Sequence, residues 1–156
     1  KDDYKHIFLF GKSLLYTLAV TDLAKGTINR KRPDGSDTRS FFSGHTSTLF
    51  AASSFLFREL DDYFDSSPLT ANDNLLRNSF KTISFLSLYG WASYVGYSRM
   101  QDNKHYLSDV IIGAAVGTLI SNLIYDYYVK EDSPLLENVN IGIINRSPSI
   151  SFRMNF

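Results

Sequence analysis

His105, Asp109 and Arg99 fall in one stretch, Ser98 to Asp109, and their types and spacing could do chemistry. Asp109 follows His105 by four residues, so on a helix the two side chains share a face one turn apart. A carboxylate so placed can accept the imidazole Nδ1–H, fix the tautomer and leave Nε2 bare as a nucleophile. Arg99, planar and permanently charged, can grip an oxyanion beside that nitrogen with two parallel donors. The same stretch is equally consistent with a loop histidine and a helix-capping aspartate, or with half of a metal site.

Two further groups precede it. Lys25 and Arg32, the latter followed by Pro33, stand seven apart. On a continuous helix they would project from one face, about 10 Å apart along the axis. Their plain reading is a solvated basic helix end that meets its own dipole. Ser43-Gly44-His45 opens an apolar run that includes Leu49, Phe50, Phe55 and Leu56. Ser43 is a good N-cap, Gly44 lets a ligand approach the backbone, and the first amides of such a helix point outward as an anion site. Its plain reading is a capped helix with an incidental histidine.

The positioning elements read as four helices. The first spans residues 4–29 and is limited by Pro33. The second runs from Ser43 to about Tyr63, and a polar segment, residues 61–74, is the one credible internal linker. The third covers 75–99, apolar nearly all round and so expected to be buried. The fourth starts near His105 with Asn103 as a plausible cap and runs to Val129, and Gly113, Ala114, Ala115 and Gly117 give it a small-residue face. In the tail, Val139, Ile141 and Ile143, then Ile150, Phe152, Met154 and Phe156, alternate with polar residues around Asn145 to Pro148, a hairpin signal. The expected architecture is an all-α helical bundle with a small C-terminal β-hairpin. It forms a single domain over 1–156, with a helical core at 1–136 and the hairpin at 137–156.

Composition bounds the function. The chain of 156 residues has net charge zero, no cysteine, ten Tyr and twelve Phe. Zero net charge offers no field for nucleic acid, and the lack of cysteine excludes disulfides, thiol catalysis and Cys-ligated zinc. The charges are segregated. Lys25, Arg30, Lys31, Arg32 and Arg39 crowd one stretch and suggest an anionic ligand, while Glu59, Asp61, Asp62, Asp65 and Asp73 suggest a solvated loop. The chain starts Lys-Asp-Asp without Met, so its true start is expected to be missing or removed. Residues 82–97 and 110–125 are strongly apolar but shorter than the roughly twenty residues a bilayer requires. Lys12 interrupts residues 7–21. Buried core helices are the reading preferred over membrane spans.

The three groups occur in one order: Lys25-x6-Arg32-Pro33, Ser43-Gly44-His45, and Ser98-Arg99-x5-His105-x3-Asp109. The third alone would match by chance on the order of 10⁻⁵ per starting position. Together they resemble the type 2 phosphatidic acid phosphatase superfamily, which includes lipid phosphatases, bacterial non-specific acid phosphatases and vanadium haloperoxidases. The resemblance spans 25–109 by motif. Phe42 stands where the family usually has proline, and only about one helix precedes the first motif where membrane members carry more.

The resemblance implies a phosphoric ester or diphosphate hydrolase, acting on phosphorylated lipids or small phosphoesters at the cell envelope, periplasmic or membrane-associated in a bacterium. It gives His105 the role of nucleophile forming a phosphohistidine, oriented by Asp109. It makes His45 the acid and then the base, and Lys25, Arg32, Arg99, Ser43 and the Gly44 amide the phosphoryl-binding groups. No metal or other cofactor is expected, because three cations and a helix N-terminus meet the demands of phosphoryl transfer and would repel a divalent ion. Vanadate or phosphate could occupy the same cradle. A vanadium haloperoxidase, a soluble non-specific acid phosphatase and a non-catalytic bundle are the competing readings. His6 is expected to be an exposed bystander, and the oligomeric state is not legible.

Overall fold

The computed structural model describes residues 3–129, and the backbone alone of residues 139–144 and 147–152. Four helices make it all-α: α1 (Asp3–Ile28), α2 (Gly44–Ser66), α3 (Asn74–Gln101) and α4 (Leu107–Tyr128). In the tail, β1 (Val139–Ile144) pairs antiparallel with β2 (Ser147–Phe152). Of the turn expected over Asn145 to Pro148, Asn145 and Arg146 lie outside the described residues, as do residues 153–156, while Ser147 and Pro148 belong to β2. The hairpin therefore does not count toward the established fold, which rests on the helices.

Side-chain pairs give the helix directions. His6 meets Glu59 and Thr21 meets Ser47, so α1 runs antiparallel to α2. Ser53 bonds the carbonyl of Leu88 while Lys81 pairs with Asp61, so α3 is antiparallel to α2 as well. Arg58 pairs with Asp126, and Gly113 lies against Ser43, so α4 is parallel to α2. The C-termini of α1 and α3 and the N-termini of α2 and α4 thus share one end of the bundle. All three motifs lie there.

The small-residue face expected on α4 is what lets α2 come so near. A Cβ on Gly117 would sit 2.0 Å from the Ser47 carbonyl oxygen, and one on Gly113 would sit 2.8 Å from that of Ser43. Only glycine permits this approach. A small apolar cluster at the far end, Leu9, Phe55, Ile124 and Tyr125, completes the packing, with the Phe55 and Tyr125 rings edge-to-face at 5.2 Å.

Four expectations are corrected. The third helix is not buried: Ala92 and Gly96 are its buried residues, while Ile83, Leu86, Trp91 and Tyr94 are each about 60% exposed. The same holds for α1, where Ile7, Phe8, Leu15 and Leu23 face outward. The interior is instead rich in small hydroxyl residues, Ser13, Thr17, Thr21, Ser43, Thr46, Ser47, Ser54 and Ser121 among them. Apolar outside and small inside is the arrangement of helices packed in lipid, where close backbone approach replaces the hydrophobic drive. Tyr4–Ile28 and Leu107–Tyr128 are each long and apolar enough to cross a bilayer.

The acidic group is not a solvated loop, because α2 continues through it to Ser66. Lys81 bridges Asp61 and Asp65 at 2.7 and 2.8 Å, Tyr125 donates to Asp62, and Asp73 caps α3. His6 is no bystander, since its Nδ1 lies 2.7 Å from Glu59 Oε1. Asn103 does not cap α4, and Tyr106 holds that position.

Gly117→Ala should lower the thermal unfolding midpoint by an amount equivalent to about 1–3 kcal/mol, because the two backbones must part. Gly11→Ala, whose new Cβ would have nothing within 4 Å, should be neutral or slightly stabilising. Equal midpoints for the two variants would show that α2 and α4 do not touch there.

Candidate active site

Lys25 rides on the last turn of α1. The helix then stops at Ile28, where Asn29 turns the chain in the left-handed region at φ 47°. Arg32 is therefore not on the helix with Lys25, contrary to the one-face expectation. It sits in the following loop, where its amide bonds the Asp37 carbonyl at 2.9 Å and its Nε donates to Asp37 Oδ1 at 2.7 Å. Loop geometry brings the two cations together where helix periodicity does not.

Arg99 closes α3, and Asn103 at φ 54° reverses the chain after it. The amides of Lys104 and His105 then return to the Arg99 carbonyl at 3.0 and 3.3 Å, which ties the cation to the histidine. His105 precedes α4, so the expected one-turn spacing on a helix does not relate it to Asp109. Its Nδ1 donates to the Ser40 carbonyl at 2.7 Å, and Asp109 Oδ2 stands 3.8 Å away, beyond a hydrogen bond. The expected His105–Asp109 hydrogen bond is corrected accordingly. The physical result is retained, because an Nδ1–H held by a carbonyl leaves Nε2 as the bare nitrogen.

Asp109 is wholly buried and accepts three hydrogen bonds: from Arg30 Nη1 at 2.6 Å, Ser40 Oγ at 2.5 Å and the Tyr106 amide at 3.0 Å. Ser43 does cap α2, but it too is buried and accepts from the Thr46 amide and hydroxyl. It does not reach the cavity wall, so the structure does not bring it to the phosphoryl-binding position the resemblance implied.

The other expected residues converge. One cavity of about 640 Å³ is lined by Lys25, Arg32, Gly44, His45, Arg99 and His105, with Lys104 beside them and Leu18, Thr48 and Leu49 on the α1–α2 side. Each cation already has an intramolecular partner, Asp37 in the case of Arg32. Lys25 donates to the Arg39 carbonyl at 2.7 Å, Arg99 pairs with Asp102, and Lys104 pairs with Asp34 at 2.5 Å. An anion entering the cavity can compete for all of them.

The electrostatics favour a neutral His105. Burial pushes the His105 imidazole down to about 4, and the positive charges of Lys25 and Arg32 act in the same direction. Burial also lowers His45, helped by Arg99, Lys25 and Arg32. Among the described residues, no group of three or more His, Asp or Glu is gathered to hold a metal ion. Sequence reasoning missed the Ser40 carbonyl, which has no side-chain signal, and the partnership of Arg30 with Asp109, hidden within a run of basic residues.

The PAP2 superfamily model matches residues 27–133. The chain belongs to the PAP2 superfamily. A lipid A 1-phosphatase of Porphyromonas gingivalis is 35% identical over 88% of this chain and 30% of its own length. Phospholipid phosphatase 2 of Rattus norvegicus is 34% identical over 77% of the chain and 51% of its own length. A probable diacylglycerol pyrophosphate phosphatase 1 of Schizosaccharomyces pombe is 33% identical over 68% of the chain and 34% of its own length. The chain thus spans about a third to a half of the length of these curated relatives. No solved structure matches it significantly. Within this PAP2 chain, the match takes in Arg32, His45, Arg99, His105 and Asp109 and starts just after Lys25.

Imidazole NMR should find His105 titrating near 4 and His45 below 6.5, with Arg99→Ala moving His45 back up. The folded chain then binds fewer protons at His105 than the unfolded chain between about 4 and 6.5, so stability should fall as pH drops through that window. A His105 titrating at its ordinary value would remove burial and the two cations as influences on it.

Proposed function

We propose that the chain is a metal-independent phosphatase that hydrolyses phosphate or diphosphate groups of lipids through a phosphohistidine. The observation that carries this is a cavity walled by two imidazoles and by Lys25, Arg32 and Arg99 together. Phosphoryl transfer needs positioning and stabilisation of charge on the equatorial oxygens more than covalent assistance. Three cations and the α2 N-terminus at Gly44 supply that, and a wall that sets Lys25, Arg32, Arg99 and Lys104 against the one carboxylate of Asp22 disfavours a divalent ion.

The chemistry runs in two steps. His105 Nε2 bonds to phosphorus while the bond to the leaving oxygen breaks, and protonated His45 gives that oxygen its proton. His45, now neutral, takes a proton from water as the water oxygen attacks phosphorus. The P–N bond breaks, and phosphate and neutral His105 are released. An anion in the cavity offsets the cations that depress His45, so substrate helps load its proton.

The names of the matched relatives favour lipid phosphates over the haloperoxidase and soluble acid phosphatase alternatives. The outward apolar faces of α1, α3 and α4 support a place in the membrane of the cell envelope. The periplasmic side is the side we propose, as the motif resemblance implies. Leu18 and Leu49 on the cavity wall then give an acyl chain an apolar approach.

Phosphate release from detergent-dispersed phosphatidic acid, diacylglycerol pyrophosphate and a soluble monoester should persist in EDTA and be inhibited by vanadate. His105→Ala should lower kcat on the order of 10³-fold or more. The pH profile of kcat/KM should be bell-shaped on the acid side, rising near 4 as His105 deprotonates and falling below 6.5 as His45 does. Full activity in His105→Ala, or abolition by EDTA, would overturn the reading.

A further inference from the structure

Asp109 raises a question that the cavity does not answer. It is wholly buried, is not on the cavity wall, and does not bond His105. A buried carboxylate without a cation is costly. Arg30 supplies the cation: its Nη1 lies 2.6 Å from Asp109 Oδ1 and 2.8 Å from Ser108 Oγ, and its guanidinium stacks 4.2 Å from the centroid of the Tyr106 ring. The Tyr106 amide bonds the other carboxylate oxygen at 3.0 Å, so Arg30 and Asp109 clamp the residue that follows His105.

The same Oδ2 accepts the Ser40 hydroxyl, and the Ser40 carbonyl takes the His105 Nδ1–H. The Ser40 amide in turn donates to the Arg30 carbonyl at 2.9 Å. Arg30, Ser40 and Asp109 therefore form a closed unit. It grips both the chain beside His105 and the oxygen that selects its tautomer. Arg30 is not itself on the cavity wall, and unlike Lys25, Arg32 and Arg99 it has no access to the phosphoryl group.

We propose that Arg30 is a positioning residue, which through Asp109 and Ser40 holds the His105 ring with Nδ1 protonated and Nε2 turned to the cavity. The proposal rests on His105 being the nucleophile, and its test has a readout independent of turnover. Both bonds leave from the one nitrogen Nη1, which a lysine ammonium could replace, but the planar stacking on Tyr106 is a contact that lysine cannot reproduce in full.

The experiment uses the full chain with ¹⁵N-labelled histidine. Wild type should show His105 as the Nδ1–H tautomer, and Arg30→Gln should show a mixture of tautomers. In assays with phosphatidic acid, Arg30→Gln should lower kcat about 10- to 100-fold, as loss of an outer-shell partner typically does. KM should change little, and Arg30→Lys should recover part of the loss. Because Arg30→Gln leaves Asp109 unpaired and can impair folding, the double variant Arg30→Gln/Asp109→Asn removes both charges. Its kcat should be no lower than that of Asp109→Asn alone, as expected for groups that act as a unit. An unchanged tautomer in folded Arg30→Gln, a raised KM with kcat intact, or additive losses in the double variant would each overturn the role. Failure to trap phosphate on wild-type His105, with the tautomer result as expected, would instead overturn the nucleophile assignment.

Discussion

The near-contact of the α2 and α4 backbones is the constraint on which the site depends. Gly113 lies against Ser43, and the Ser43 amide donates to the Asp109 carbonyl at 3.1 Å. The start of α2 is thereby fixed beside the start of α4. Two helix N-termini, each with amides lacking intrahelical partners, face one region from neighbouring elements. The antiparallel α1 and α3 bring their C-termini to the same end and carry Lys25 and Arg99 in their last turns. Two glycines that touch no ligand thus help decide that the imidazoles of His45 and His105 share a cavity.

The sequence revealed more of which residues meet than of how the chain brings them together. Each of the four helices was legible from its apolar spacing, and so were six of the residues on the cavity wall. The helix ends were not. Asn29 and Asn103 stop α1 and turn the chain after α3 in left-handed conformations, which spacing rules for continuous helices cannot register. Arg32 and His105 therefore lie in loops, and the spacings that seemed helical work through turns. Ser43 caps α2 as its sequence position indicates, and that role draws it inward, off the cavity wall. The Ser40 carbonyl could not be read from any side chain.

The larger misreading concerned solvent. A helix that is apolar all round fits a deep protein core or a bilayer equally well, and periodicity does not separate the two. The structure separates them by what lies inside. Serine, threonine and glycine fill the contacts between helices, while Trp91, Tyr94, Ile83 and Leu86 of α3 point away from them. A protein folded by withdrawal of apolar surface from water would show the reverse.

The interior hydroxyls carry one more consequence. Ser13 donates to the Phe10 carbonyl, Thr17 to that of Ser13 and Thr21 to that of Thr17, all within α1, and Ser47 donates to Gly44 within α2. These groups are satisfied by their own helix before any neighbour arrives. The hydroxyls of such a segment need no neighbour when it enters an oily medium singly, and it can meet its companions afterwards. Insertion and assembly then become separable events, and the order in which the helices find one another need not be the order in which they are made.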